Sequence, residues 1–404
     1  MLLLLLACTL EDTGTDRTGQ PGDDTGAADT GDTADTGDSG DTGEPQSDGC
    51  RADPGDADRD RAVVVSFPYN KQGRAASAWE VLSLQASTGT LSQSGVTFEM
   101  GRGYSGVVAF SPDGSLGIAP QDDGSVGIFT LDDKLVPTVV EAEWAGGAED
   151  FYVSGAVFDP SGERAWLIDG NWENNGGGLY EVVFDCETGA PTLVGRTIAS
   201  KLAAALFPMG DTAVLVAAGA AGEEGGDAWL LSGWPDAPVV AGKTTLFDYE
   251  DAILASAAIV GETLLVGDNS SFSGTDNRVA AALVGADSLQ ASATTTELLD
   301  PFAIVASPFG DAALVSSGFG DDLYVLSVAD GEVTASTKLS ASGVALPGSS
   351  VVIERGALEG TALVIENVAI RTVRFDGAGG ASDEGVLAFG DEYTDIPGAI
   401  GVQP

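Results

Sequence analysis

Two oxygen-rich stretches of this sequence could bind a metal ion. Each places acidic and amide side chains close together, and carboxylate and amide oxygens are the ligands that Ca²⁺ takes in proteins. The candidate ligands are Asp169, Asn171 and Glu173 in the first stretch and Asp268, Asn269 and Asp276 in the second. The alternative is structural, because Asp, Asn and Gly also fill turns through hydrogen bonds to nearby backbone. We therefore expect no obligatory cofactor, with Ca²⁺ as the ion that these stretches would bind.

The chain contains no histidine, which narrows the catalytic chemistry open to it. Without histidine there is no Ser-His-Asp triad, no Cys-His pair and no His ligand for zinc. An enzyme would have to use carboxylates, Lys, Tyr or a hard metal ion. Adjacent acids such as Asp321 and Asp322 could act as acid and base, but acids on an exposed turn are far more often simply hydrated.

The charge balance is strongly acidic, with 62 Asp and Glu residues against 17 Lys and Arg, a formal charge of −45. Such a surface repels the phosphate backbone of nucleic acids and anionic lipid headgroups, so neither is expected as a partner. The excess of carboxylates is typical of a well-hydrated exported protein. The alternative is that it captures cations or a basic partner.

The N-terminus resembles the signal of a bacterial lipoprotein. Leu5-Leu6-Ala7-Cys8 follows a short leucine run, as in a lipobox, in which the Cys is acylated and becomes the mature N-terminus. The resemblance implies a signal peptide over residues 1–7, a lipid on Cys8 and attachment to the membrane through that lipid. The run is short and no basic residue precedes it, which a translation start upstream of Met1 would explain; a chance leucine run is the alternative.

Residues 8–61 are predicted to form a disordered acidic stalk. Asp-Thr-Gly repeats dominate it and large apolar side chains are almost absent, so this stretch cannot offset the entropy lost on ordering. The repeats fill residues 9–49, and a coil of that length spans about 35 Å, which charge repulsion extends. Such a stalk after a lipidated Cys is similar to those of bacterial surface lipoproteins. The resemblance implies a place in the cell envelope, at the outer membrane or the cell surface.

Two further cysteines remain once Cys8 is assigned to the lipid. Cys50 lies at the base of the stalk and Cys186 at the end of a strand-like run. In an oxidising compartment an even pair favours a disulfide between Cys50 and Cys186. Two free thiols are the alternative.

A repeat of about fifty residues predicts the fold. Apolar runs of four to six residues alternate with glycine turns, and an earlier, shorter copy begins at Val63. The turn glycines are Gly114, Gly162, Gly210, Gly261, Gly310 and Gly360, spaced by 48, 48, 51, 49 and 50 residues. Runs of this size suit strands, and a four-stranded sheet needs about 40 to 50 residues. Residues 62–404 are therefore predicted to form one all-β, seven-bladed β-propeller, with six blades, eight blades or a pair of β-sandwiches as alternatives.

The segment Phe110-Ser111-Pro112-Asp113-Gly114, with the strand, acidic turn and strand after it, resembles the YVTN-type and WD-repeat-like propellers of bacteria. To close the ring, one terminus should contribute a strand to a blade from the other. We expect either Val63–Phe67 or Val386–Phe389 to complete a blade contributed by the opposite terminus. Some propellers of this kind are lactonases or quinone-dependent dehydrogenases.

The function expected from these features is that of a monomeric, non-catalytic binding or scaffold module for a protein or glycan partner. The alternative is a carboxylate- or Ca²⁺-dependent hydrolase or oxidoreductase of the lactonase or quinoprotein type. Converging buried carboxylates in an open, polar channel would favour the enzyme. An exposed apolar or aromatic patch beside the channel would favour the binding module.

Overall fold

A computed structural model gives the fold of residues 49–69, 77–146, 151–171, 177–217, 227–247, 254–269, 277–390 and 396–404. Cys8, Glu173 and Asp276 lie outside these described residues. All the regular elements in the described ranges are β-strands. No helix there is long and apolar enough to cross a membrane.

The strands, in chain order, are as follows. The first half comprises β1 (Arg61–Ser66), β2 (Ala78–Leu84), β3 (Leu91–Glu99), β4 (Ala109–Phe110), β5 (Leu116–Pro120), β6 (Val126–Leu131), β7 (Pro137–Trp144), β8 (Val153–Phe158), β9 (Arg164–Asp169), β10 (Gly178–Phe184), β11 (Pro191–Ala199), β12 (Ala203–Met209), β13 (Thr212–Ala217) and β14 (Ala228–Ser232). The second half comprises β15 (Val239–Thr244), β16 (Leu254–Val260), β17 (Thr263–Asp268), β18 (Arg278–Gly285), β19 (Ser288–Glu297), β20 (Pro301–Ala306), β21 (Ala312–Ser317), β22 (Asp322–Ala329), β23 (Glu332–Lys338), β24 (Ser350–Val352), β25 (Thr361–Glu366), β26 (Ala369–Phe375), β27 (Ala381–Ala388) and β28 (Ile400–Val402).

These strands form seven antiparallel four-stranded sheets, the blades of a seven-bladed β-propeller. From the innermost to the outermost strand, blade 1 is β28-β1-β2-β3, and blades 2 to 7 take the next strands four at a time, from β4-β5-β6-β7 to β24-β25-β26-β27. The second and third strands are almost wholly buried, whereas the outermost strands alternate between exposed and half-buried side chains. This gradient is expected when sheets stand side by side around an axis.

The ring closes at blade 1, where the C-terminal strand β28 pairs with β1. Val63 lies opposite Val402, and Val65 opposite Ile400. The expectation that Val63–Phe67 or Val386–Phe389 completes a blade of the opposite terminus is therefore wrong. Val63 lies in β1, within the blade of its own terminus, and Val386 lies in β27, the outermost strand of blade 7. The completing strand is β28, because the chain continues past blade 7 and returns to pair with β1. The first sequence unit is short because its innermost strand comes from the other end of the chain.

Apolar side chains fill the space between neighbouring blades. Seven clusters of buried residues are present in the described part of the chain, and each combines side chains of two adjacent blades. One joins Val63 and Leu82 of blade 1 to Leu363 of blade 7, so the last interface of the ring is as apolar as the others. Each fully buried side chain of this size contributes about 1.5–3 kcal/mol.

The glycines of the sequence repeat occupy tight turns between the first two strands of their blades. Gly114 has φ +74° and Gly162 has φ +69°, in the left-handed region that favours glycine. Beside Gly114, the Asp113 carboxylate accepts hydrogen bonds from the Ser115 amide at 2.9 Å and the Ser111 hydroxyl at 2.6 Å. The periodic signal in the sequence is thus the local chemistry of one recurring turn.

Residues 49–60 form a strap across one end of the propeller, and the compact unit runs from Gln46 to Pro404. Cys50 and Cys186 are joined by a disulfide with Cα atoms 6.0 Å apart. Arg51 donates to the Asp185 and Cys186 carbonyls at 3.2 and 2.9 Å, and Arg355 of blade 7 donates to the Gly55 carbonyl at 3.3 Å. The folded part of the chain therefore includes residues that the sequence assigned to the stalk.

Candidate binding face

Two sets of loops meet at the end of the propeller opposite the strap, which we call the upper face. One set joins the second and third strands of each blade. The other leads from the outermost strand of one blade to the innermost strand of the next. The strap contacts the turns of the other end, the lower face, through Asp113, Ser161 and Arg355.

In the described part of the chain, the upper face carries seven exposed apolar and aromatic side chains, which we call the apolar rim. Its members are Tyr69, Tyr104, Val107, Tyr152, Leu202, Leu299 and Phe319, each 37–54% exposed. Four of them, Val107, Tyr152, Leu202 and Leu299, lie one or two residues before an innermost strand, and this places them around the mouth of the central channel. Among the described residues, the turns of the lower face expose only Val136 and Phe309 to this extent.

Buried carboxylates beneath the rim hold its loops in place. Asp169 ends the second strand of blade 3, and its Oδ1 accepts from the Tyr152 amide at 3.1 Å and the Asn171 amide at 2.9 Å. Asp300 Oδ2 accepts from the Phe319 amide at 2.6 Å. Both acids are almost completely buried, and burial raises the pKa of each. Each joins an inter-blade connection to the loop beside it.

The same arrangement recurs with less buried groups. Asp227 Oδ2 accepts from the Leu246 amide at 2.7 Å and the Phe247 amide at 3.0 Å. Asp321 Oδ1 accepts from the Leu346 amide at 2.7 Å. Much of the acidity that the sequence places on this face therefore satisfies backbone donors of irregular loops. The positions in the sequence differ: Asp169 ends a buried strand, whereas Asp227, Asp300 and Asp321 each lie immediately before the first residue of a strand. An acid at the boundary of a strand is therefore the sequence signal that could have indicated this role.

The predicted calcium ligands are divided between blades 3 and 5, which are not neighbours. Asp169 and Asn171 are buried in blade 3, and Asp268 is buried at the equivalent strand end in blade 5, with Asn269 after it. Asp169 Oδ2 is buried and has no hydrogen-bond partner among the residues that the structure describes. Within the described ranges, the one group of three acidic or thiol ligands that could hold a metal is Cys50, Glu163 and Cys186, and its two sulfur atoms are joined in the disulfide. Ca²⁺ binding stays a prediction.

The walls of the central channel carry no charge. None of the seven innermost strands contains an acidic or basic residue. Ser154 donates to the Ala203 carbonyl at 3.2 Å and Ser256 to the Pro301 carbonyl at 3.4 Å, so these hydroxyls link neighbouring blades. The strands that line the channel supply no general acid, general base or anion-binding group.

Two other acidic groups have structural partners. The adjacent Asp321 and Asp322 diverge, because Asp322 lies in β22 and forms an ion pair with Lys338. In blade 7, Arg371 is buried between Glu366 at 2.5 Å and Asp383 at 2.6 Å. Burial raises the pKa of Glu366, opposed by its hydrogen bonds to Arg371.

Comparisons with known proteins show the fold. No protein-family model and no curated protein sequence matches the chain. A candidate 6-phosphogluconolactonase from Bacteroides fragilis is 13% identical with a TM-score of 0.61, covering 87% of this chain and 99% of that one. The periplasmic gluconolactonase of Pseudomonas aeruginosa is 10% identical with a TM-score of 0.60, covering 85% of this chain and 99% of its own. A protein from Lactobacillus plantarum is 12% identical with a TM-score of 0.60, covering 85% and 100%. At these identities the similarity is one of architecture.

Proposed function

We propose that this protein is an exported, lipid-anchored lipoprotein of the cell envelope, at the outer membrane or cell surface. Its propeller is a monomeric, non-catalytic binding module that receives a protein or glycan partner on the upper face. The observation that carries this proposal is the apolar rim. Large apolar side chains exposed together on one face are typical of a surface that a partner covers.

The support is energetic as well as geometric. Each Å² of apolar surface removed from water contributes about 25 cal/mol. Asp169 and Asp300 hold the backbone amides of Tyr152 and Phe319, which lowers the entropy lost when a partner binds these two rim residues. In contrast, the uncharged channel walls and the absence of histidine leave little acid–base chemistry in the centre of the ring.

The lipid anchor rests on Leu5-Leu6-Ala7-Cys8 and the acidic segment after it. Metabolic labelling with a palmitate analogue in the native host tests the anchor. We expect label on the wild-type protein and none on Cys8→Ser; label on both would refute the lipobox.

The binding role is tested by immobilising the full chain and exposing it to envelope extract. The rim variant is Leu299→Glu with Phe319→Glu. The matched control is Val194→Glu with Val386→Glu, two exposed valines on outermost strands. We expect one partner retained by the wild type and the control but lost from the rim variant. Loss from both variants, or no partner at all, contradicts the proposal.

The second candidate function is a lactonase, favoured by the shared architecture with the two proteins named for that activity. It would be a carboxylate- or Ca²⁺-dependent hydrolase, with Asp300 the buried acid beside the channel mouth. Titration of acid release from δ-gluconolactone and 6-phosphogluconolactone, with and without Ca²⁺, tests it. We expect no release above the uncatalysed rate. Release that is abolished by Asp300→Asn would establish the lactonase and overturn the non-catalytic proposal.

A further inference from the structure

Two tyrosines of the upper face form an aromatic corner between blades 1 and 2. The rings of Tyr69 and Tyr104 have centroids 5.7 Å apart and planes at 65°, and each residue is 37% exposed. The Tyr69 hydroxyl donates to the Tyr104 hydroxyl at 2.6 Å. The proton of Tyr104 therefore remains available to an incoming acceptor.

Arg102 completes this corner. Its guanidinium lies 5.8 Å from the Tyr69 centroid and 5.7 Å from the Tyr104 centroid, within range of a cation–π contact with both. Its Nε donates to the Pro68 carbonyl at 3.1 Å, and Nη1 donates to the Asp122 carboxylate at 3.0 Å. The corner therefore presents aromatic faces, hydrogen-bond donors and a carboxylate acceptor, and its ion pair brings no net charge.

The backbone of the corner is closely packed at Gly103. Gly103, between Arg102 and Tyr104, packs against the indole of Trp79, where a Cβ would lie 2.5 Å from the ring. The Gly103 carbonyl also accepts from the buried Ser66 hydroxyl at 2.5 Å. A site that is already formed loses less conformational entropy when a ligand binds. Burial raises the pKa of Tyr69, which keeps that phenol protonated and able to donate.

Aromatic faces edged by hydroxyl and guanidinium groups match the chemistry of a pyranose ring. Such a ring has apolar C–H groups on a face and hydroxyls around its edge. Arg102 is paired with Asp122, so the corner has no net charge and nothing in it favours a charged ligand over a neutral one. We propose that this corner is a subsite for a neutral oligosaccharide. The inference rests on the proposed binding function and names the ligand class for one part of the same face.

The test uses the full chain and isothermal titration calorimetry with cellohexaose, maltohexaose, mannohexaose and chitohexaose as probes. We expect at least one hexaose to bind with a Kd of about 1 mM or tighter. Tyr104→Ala should weaken that binding by about tenfold. Tyr104→Phe, which keeps the ring and loses the hydroxyl, should weaken it by a smaller factor. The matched control is Phe309→Ala, an exposed aromatic side chain on a turn of the lower face, which should leave the affinity unchanged.

Three outcomes would overturn the subsite. They are no binding of any of the four hexaoses at about 5 mM, equal affinity in Tyr104→Ala, and an equal loss in Phe309→Ala. Melting curves and near-UV circular dichroism establish that each variant is folded; if Tyr104→Ala does not fold, Tyr104→Phe and Arg102→Gln give the same comparison. A partner captured by the rim while no hexaose binds refutes the subsite and leaves the proposed function standing.

Discussion

The disulfide between Cys50 and Cys186 offers the sharpest test of the folded architecture. Replacing both cysteines with serine removes the covalent link and changes little else, because Arg51 keeps its hydrogen bonds to the Asp185 and Cys186 carbonyls. The native strap should remain in place. The effect is therefore expected to arise chiefly in the unfolded chain, which gains freedom when the link is absent.

The magnitude follows from the sequence separation. The disulfide closes a loop across a separation of 136 residues. In the chain-entropy model, closing a loop of this length stabilises the folded state by about 5 kcal/mol at 25 °C. Domains are typically stable by about 5–15 kcal/mol, so this one link would supply a third or more of the total.

Urea denaturation followed by tryptophan fluorescence measures this difference. Trp166 and Trp234 pack with ring centroids 4.3 Å apart between blades 3 and 4, close to the linked part of the ring. With a slope of about 3 kcal/mol per molar urea, the double variant should unfold about 1.7 M earlier than the oxidised wild type. Wild-type protein treated with dithiothreitol should match the variant. Cys8→Ser, a cysteine outside the compact unit, is the control and should leave the midpoint unchanged.

A midpoint shift below about 0.3 M would refute this reasoning. So would a reduced wild type that unfolds at the same urea concentration as the oxidised one. Limited proteolysis gives an independent measure, because cleavage within residues 49–60 should be faster once the disulfide is broken.

Four further predictions concern charge, metal and closure. Burial raises the pKa of Asp300 above its value in the unfolded chain, about 3.9. The protonated carboxyl therefore stabilises the fold below about pH 4, and this contribution is lost as the pH rises through the pKa of the folded protein. Asp300→Asn should consequently be more stable than wild type in urea at pH 7, and the difference should close below about pH 4. Arg371→Met leaves Glu366 buried without its partner and should lower the free energy of unfolding, measured in urea, by about 3–5 kcal/mol. Adding Glu366→Gln should restore part of that loss. Equal stability of the single and double variants would exclude the buried charge as the cause. Chelation with EDTA should leave the melting temperature unchanged, because backbone amides already occupy Asp169 Oδ1. If EDTA lowers the melting temperature and added Ca²⁺ restores it, the calcium prediction is established. Deleting residues 400–404 removes β28 from β1 and should abolish the cooperative melting transition, and a truncated chain that melts like the wild type would show that this strand pair is dispensable.

The recurring turns explain why the fold could be predicted. A glycine with positive φ and its neighbouring Asp form a turn from local interactions, so Gly114 and its counterparts appear in the sequence at nearly regular spacing. Strand-sized apolar runs between such turns leave few ways to bury the faces of the sheets other than side by side in a ring. Once these turns have assigned the innermost strands, the sequence also shows that those strands contain no charged residue.

The apolar rim and the aromatic corner depend instead on contacts between distant parts of the chain. Tyr69 and Tyr104 are 35 residues apart, and their rings meet because two blades bring their upper loops together. Asp169 is a residue type that often binds calcium, but its carboxylate accepts a hydrogen bond from the Tyr152 amide on the neighbouring connection. The sequence by itself determines the repeating sheets, the acidity and the available chemistry, because these follow from local composition and spacing. The tertiary structure alone decides which side chains are exposed on one face and which acids are buried, because exposure and hydrogen bonding depend on what the rest of the ring places beside each residue.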